Sequence, residues 1–423
     1  MKKSIFYRSL FILIILMPSL AFAQNKAPDK SIIKMGVSQV NITPPAPTIM
    51  AGYAARTTPS TGVHDSLYAT ALYFAGEKIK AMIITVDLIG FNSAFVDELK
   101  VDLSKVSGVS PENIMLTAVH NHGAPSPRST DSDSTNTVPA YVKFLKERLI
   151  TMSSAASKNS VPVKMGISKG SCNLNINRRA LIANGSIWLG RNPDGPCDHD
   201  LVVARFEDMN NKTLAVLVNW PCHGTVSGQD NYQITGDWPG AAARYIKKNE
   251  GNDVVVAVTI GASGDINPLY GPGKNFTEIE AVGFHVGREA CKSLASVTTY
   301  PLKEIQTTST VMTFPGKKPG KNDFPQESYE KGPDTEIRLT VFKIGELVIS
   351  GISGELVNEI GMEIKKRSPY SGTIVVTHCN GSSGYICTDK MFPEGGYEVR
   401  VTRLMPGVEK SLADKYIELI HQF

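Results

Sequence analysis

His120 and His122, one residue apart, are residues of a type and spacing able to do metal or acid–base chemistry. An i, i+2 pair projects to one side of an extended backbone. It can supply two ligands, or one ligand and one proton carrier. Further along come His223 in Pro221-Cys222-His223-Gly224, Glu355 in Ser353-Gly354-Glu355, and Tyr385 after the run Cys379–Gly384. Together these side chains offer a nitrogen and oxygen donor set with room for water, the composition of a catalytic metal centre, zinc above all. Asp265 and Asn267, in Gly264-Asp265-Ile266-Asn267-Pro268, are polar groups suited to orienting water or substrate. Each residue also has an ordinary reading. H-x-H occurs on surfaces, a strand-end His223 can simply be hydrogen-bonded, and Tyr385 can belong to a core. Glu355 can open a helix, where a carboxylate suits the dipole. His64, His199, His285, His378 and His421 read as structural or solvent-facing. Two stretches near a nucleophile elbow, Gly261–Asp265 and Gly351–Glu355, lack its final glycine, and Gly271-Pro272-Gly273 lacks the third glycine of a dinucleotide loop.

What must hold these residues together is a set of apolar runs of strand length. They are Ala81–Val86, Ile114–Val119, Leu214–Val218, Val254–Ile260, Leu347–Ile352 and Thr373–Thr377. Rich in Val and Ile and nearly continuous, they read as strands buried on both faces. Amphipathic stretches expected to be helical are Ala94–Val106, Ala140–Ser157, Gly240–Lys248, Glu278–Leu294, Leu356–Lys366 and Val408–His421. The alternation predicts an α/β fold with a mixed, largely parallel sheet flanked by helices. The polar residues follow the runs: His120 and His122 after the second, His223 after the third, Asp265 and Asn267 after the fourth, Glu355 after the fifth and Tyr385 after the sixth. In open α/β sheets ligands bind beyond the carboxyl ends of the strands. That is the expected site. Residues 124–139 and 315–332 read as long loops.

The first 23 residues have the form of a secretory signal: Lys2 and Lys3, an apolar stretch from Ile5 to Leu20, and Ala21-Phe22-Ala23 as cleavage site. The expectation is an exported protein, periplasmic or secreted, whose residues 24–423 form one catalytic domain. The formal charge of the whole chain is +4, and cleavage would remove Lys2, Lys3 and Arg8. Such near-neutrality argues against a nucleic-acid partner, which needs a basic surface. After the signal no apolar run reaches the roughly 20 residues of a membrane span, and no cysteine adjoins the cleavage site, so no stable membrane anchor is expected. The partner is a small-molecule or lipid substrate. The six cysteines permit disulfides in an exported chain, with Cys379–Cys387 and Cys172–Cys197 as local loops; buried free thiols are the alternative.

The order of motifs resembles the N-terminal catalytic domain of the neutral/alkaline, non-lysosomal ceramidases. The resemblance begins at Gly36-Val37-Ser38 with Thr43-Pro44-Pro45, and includes Met50-Ala51-Gly52-Tyr53 and Thr61-Gly62-Val63-His64-Asp65. Thr117–Pro125 is similar to the family's T-H-T-H-S-G-P, Pro221–Thr225 to its F-x-V-H-x-T, Gly354-Glu355 to P-G-E, and Tyr385–Thr388 to Y-V/I-T-T. The resemblance implies a zinc ion held by His120, His223, Glu355 and Tyr385, with His122 beside the metal for water activation or oxyanion contact. It implies that Tyr397-Glu398 lies near the substrate, which makes Tyr397 a further site residue. Two departures stand out. Asn267 occupies the position of the family's serine, and an amide can neither attack nor shuttle protons like a hydroxyl. The chain also ends at Phe423 after one helix, with no counterpart of the ceramidases' immunoglobulin-like domain.

The function expected from these residues is zinc-dependent hydrolysis of an N-acyl amide, ceramidase-like, using metal-activated water. His122, Asp265, Asn267 and Tyr397 would serve the reaction, with ceramide as one substrate. Losing the serine also leaves open a zinc esterase or carbohydrate-directed hydrolase on the same fold, and a binding protein without catalysis.

Overall fold

The computed structural model describes Met1 and residues 31–423 except 126, 128–136, 274 and 321–323. The leader expected at residues 1–23 therefore lies outside the described residues apart from Met1, as does part of each long loop. Ser31–Phe423 forms one compact unit.

Two sheets stack face to face, and helices cover their outer faces. The nine-stranded first sheet runs Val255–Ile260, Thr213–Trp220, Asp200–Asp208, Val161–Ser171, Lys34–Asn41, Tyr68–Ala75, Lys80–Val86, Ile114–Ala118, with Tyr300–Pro301 added beside Val161–Ser171. The second runs Ile305–Lys317, Lys331–Ile344, Leu347–Ile352, Gly372–Val376. Between them Met35, Phe74, Ile83, Met115 and Leu217 share one core with Phe342, Ile349 and Ile374. On the outer face of the first sheet, Met82, Ile84 and Val86 meet Leu99 of helix Ser93–Ser107 and Leu145 and Leu149 of helix Thr137–Lys158. Val216 and Val258 meet Trp238 and Ile246 of helix Asp237–Glu250, and Val286 of helix Phe276–Leu294. Helices Asn358–Arg367 and Glu409–Ile420 cover the second sheet through Ile360, Leu412 and Tyr416.

All six expected strands and all six expected helices are present, within a few residues of the expected ends. The expected parallelism is corrected: most pairings are antiparallel. The physical reason lies in what a continuous apolar run reports. In Tyr68–Ala75, an antiparallel strand, Ala69, Ala71 and Tyr73 face the helices while Leu72 and Phe74 face the second sheet. A strand between two covered layers is apolar at every position whatever its direction. Some antiparallel strands, such as Ile305–Lys317 with its Thr and Ser residues, carry no such run. Three parallel pairs do exist within these two sheets: Lys80–Val86 with Ile114–Ala118, Thr213–Trp220 with Val255–Ile260, and Leu347–Ile352 with Gly372–Val376. These are the six strands read from the sequence.

Local signals agree with the elements. The Asn92 side chain accepts from Phe95 N–H at 2.7 Å and starts its helix, and Gly108 at φ +68° ends it. All six cysteines are free, so neither local disulfide loop forms. No described helix is long and apolar enough to cross a membrane.

Candidate metal centre

The carboxyl ends of the three parallel pairs meet. The segment after Gly372–Val376 is wedged between its neighbours: Ala118 N–H donates to His378 O, Asn380 N–H to Leu116 O, and Thr377 N–H to Ile260 O. The polar residues that follow the strands are thereby drawn to one point.

His120 leaves its strand at φ +50°. Its Nδ1 lies 2.9 Å from the Ile89 carbonyl, a contact that only an N–H can make. In the neutral ring Nε2 then keeps its lone pair. His223 is fixed the same way, Nδ1 standing 3.0 Å from the Ile266 carbonyl. Both Nε2 atoms point at Glu355 Oε2, at 3.4 Å from His120 and 3.5 Å from His223. His122 Nε2 lies 3.2 Å from His120 Nε2. Two groups of ligand atoms each fall within 4.8 Å of one another: His120, His122 and His223, and His120, Glu355 and His378. His378, read from sequence as structural or solvent-facing, is buried and stacks on His120 with ring centroids 3.8 Å apart.

Glu355 and Tyr385 are neighbours by register. The short strands Glu355–Leu356 and Tyr385–Ile386 pair in parallel, with Glu355 opposite Tyr385. The Tyr385 hydroxyl accepts from Arg178 Nη2 at 3.0 Å. Arg178, on strand Asn175–Leu181, carries no catalytic motif in the sequence. It also donates from Nε to Glu398 Oε1 at 2.7 Å and from Nη1 to Asn267 Oδ1 at 3.3 Å, while Nη1 stands 3.2 Å from His223 Nε2. Arg179 clamps the other oxygen of the buried Glu398. In sequence the one local peculiarity of Arg178 is the adjacent Arg179.

His122 has its own cradle. A Cβ on Gly52 would stand 2.3 Å from His122 Nδ1, so only glycine, here at φ +96°, fits beneath the ring. Tyr53 meets the imidazole edge-on at 5.1 Å. Arg56, buried and lying over Tyr53, donates to the carbonyls of Ala51, His122, Gly228 and Gln229. That single guanidinium ties three loops together around His122.

Asp265 and Asn267 take different parts. Asp265 is buried, and its two oxygens accept from Asn358 N–H at 2.7 Å and Asn177 Nδ2 at 2.9 Å. It fastens the turn to helix Asn358–Arg367, and burial raises its carboxyl to about 6. Asn267 faces Arg178. Tyr397 forms the adjoining wall, edge-on to Tyr385 at 5.7 Å and to Trp188 at 5.5 Å. The Arg400 guanidinium covers Trp188 at 4.6 Å.

The electrostatics suit a cation. Burial alone would raise the Glu355 carboxyl, but His120 and the other histidines hold it well below the usual range. Burial pushes His122 well down, helped by His120 and His223; burial, then Arg178, lowers His223 to about 4. These imidazoles are neutral at neutral pH, the form that binds metal. Glu355 Oε2 is shielded from solvent and has no hydrogen-bond partner among the described residues. Its two nearest nitrogens are Nε2 of His120 and Nε2 of His223. A buried carboxylate beside imidazole nitrogens is an oxygen–nitrogen donor set of the kind that holds a divalent ion.

Fold and site together define a four-layer α/β protein with a buried histidine–carboxylate group that could hold a metal ion. The comparison with known sequences narrows the class. Residues 33–310 match the family described as neutral/alkaline non-lysosomal ceramidase, N-terminal, and the chain belongs to it. His120, His122, His223, Asp265 and Asn267 lie within the match; Glu355, Tyr385 and Tyr397 lie beyond. The fold is similar to the solved structure described as ceramidase complexed with C2, at a TM-score of 0.77 and 17% identity, covering 92% of this chain and 75% of that one. It is similar also to neutral ceramidase from Pseudomonas aeruginosa, at 0.76 and 17%, covering 93% and 75%. No curated protein sequence matches.

Proposed function

We propose that this chain is an exported, zinc-dependent hydrolase of N-acyl amides with a ceramide-like substrate. The observation that carries the reading is Glu355 Oε2, unpartnered among the described residues and faced by the inward nitrogens of His120 and His223. Family membership supports the amide as the bond cleaved. His120, His223, Glu355 and Tyr385 would hold the ion. Bound there, zinc would supply Lewis acidity and bring the pKa of water down to roughly 7.

The protein's own residues do the rest. Burial and then Glu355 hold the Tyr385 hydroxyl well above its usual range, and Arg178, donating to it at 3.0 Å, works in the opposite sense, as a bound cation would. His122 is neutral and Nε2-inward, so it can take the proton of the attacking water. Water oxygen bonds to the acyl carbon, the C–N bond breaks, and the proton held by His122 passes to the leaving nitrogen, giving a carboxylic acid and an amine. Asn267 orients the substrate from the Arg178 side and cannot replace water as nucleophile. Asp265 positions the turn that carries it. Tyr397 lines the approach.

The test is fatty-acid release from labelled N-acyl sphingosine by zinc-loaded protein, with and without chelator. Chelator-sensitive release is expected. Release of acid only from esters or sugar-linked acyl groups would move the substrate, the alternative that Asn267 favours. For export, the protein recovered outside the cytoplasm is expected to begin at Gln24; an intact leader there would contradict the cleavage site.

A further inference from the structure

We propose that the outer edge of the second sheet is a dimer interface, on which strand Ile305–Lys317 pairs antiparallel with the same strand of a second copy of this chain. Within its sheet this strand borders only Lys331–Ile344. Gly372–Val376, at the opposite edge, is buried throughout. Among the described residues, no backbone group of residues 306–314 bonds to anything beyond Lys331–Ile344. That stretch therefore presents its outward N–H and C=O groups to a neighbour.

Open edges in monomers are blunted by charged side chains, proline, bulges or a covering segment. Residues 305–314 contain no charged residue and no proline, and they are rich in the β-branched residues that favour strands. The blunting devices begin where the stretch ends. Pro315 follows it, the register shifts between Phe314 and Gly316, and residues 403–405 lie alongside. There Lys317 N–H donates to Arg403 O at 2.9 Å and Met405 N–H to Pro315 O at 3.0 Å. The edge thus already seats an extended segment at its far end, in the antiparallel sense.

What selects a second copy is the strand's complementarity to itself. A two-fold axis through the sheet at Thr310 sets Thr310 opposite Thr310, Ser309 opposite Val311 and Thr308 opposite Met312 of the second copy. No register of residues 305–314 against themselves brings like charges together, and Thr–Thr pairs across strands are favourable. Val311 is 54% exposed, and Ser309 and Thr313 on the same face are exposed too, so a neighbouring strand has side chains to cover. An antiparallel ladder over residues 306–314 makes about nine hydrogen bonds, close to the roughly ten of a specific interface. Each copy uses this edge once, so assembly closes at the dimer.

The test measures the mass of the full-length chain by light scattering and sedimentation between about 1 and 100 µM, the range of weak interfaces. The wild type is expected to reach twice the chain mass toward the upper end, with amide exchange at residues 306–314 slowing as the dimer fills. Ser309→Lys with Val311→Lys, at two exposed positions, sets lysine against lysine across the two-fold axis. This variant is expected to weaken the dimer at least about tenfold. Ser309→Lys with Val311→Glu sets lysine against glutamate instead and is expected to dimerise like wild type. Circular dichroism and a thermal melt report whether each variant is folded. The proposal is overturned if the wild type is monomeric throughout, if it grows beyond a dimer, if the first variant, folded, dimerises like wild type, or if the second stays monomeric.

Discussion

Gly52→Ala separates the proton carrier from the metal ligands. The added Cβ would stand 2.3 Å from His122 Nδ1, 2.5 Å from Cγ and 2.8 Å from Cβ. Ordinary contact begins near 3.4 Å, so the imidazole must retreat by about 1 Å, a shift that costs on the order of 10²-fold in rate at a reacting centre. Alanine at φ +96° adds strain of about 1–3 kcal/mol. The three atoms nearest the added Cβ all belong to His122, so bound zinc is expected to stay at one per chain. The assay is kcat/KM for fatty-acid release beside zinc by elemental analysis and a denaturant melt. A rate within about twofold of wild type would refute the placement of His122 over Gly52 as a requirement of catalysis. Loss of zinc together with activity would make His122 a ligand and refute its role as proton carrier.

Three further outcomes follow from the same geometry. His120→Ala is expected to remove both zinc and turnover, checked by elemental analysis; a variant retaining its zinc would sink the ligand assignment. Glu398→Gln leaves Arg178 and Arg179 buried without their shared carboxylate, and a denaturant melt is expected to show a loss of about 3–5 kcal/mol; a loss below about 1 kcal/mol would mean the clamp is idle. Asp87 is raised from 3.8 to about 7, chiefly by burial, so the folded state binds its proton more tightly than the unfolded one. Its contribution is fully present below about pH 4 and fades as pH rises through 7, by up to about 4 kcal/mol. Asp87→Asn is therefore expected to flatten the decline in unfolding free energy between those limits, and an unchanged pH profile would contradict the burial argument.

The six strands legible in the sequence are the ones whose carboxyl ends carry the site. They were legible because they sit between two covered layers, where Ile84 faces helices and Ile83 faces the other sheet. The same double burial hid their direction, because a buried antiparallel strand such as Tyr68–Ala75 is equally apolar. His120, His223, Glu355 and Tyr385 stood out as polar residues immediately beyond apolar runs. Arg178 did not, because its strand, Asn175–Leu181, belongs to a small three-stranded sheet without such a run. His378 is buried and stacks against His120, 258 positions away in sequence, and nothing local encodes that neighbour. Asp265 was expected to orient water or substrate; its carboxylate accepts from Asn358 N–H and Asn177 Nδ2, contacts to residues far away in sequence.

The most direct test of the account is zinc stoichiometry measured alongside fatty-acid release from N-acyl sphingosine, before and after chelation and zinc return. The account predicts about one zinc per chain, release that stops on chelation, and recovery when zinc is restored. Release that continues in protein stripped of metal would contradict it.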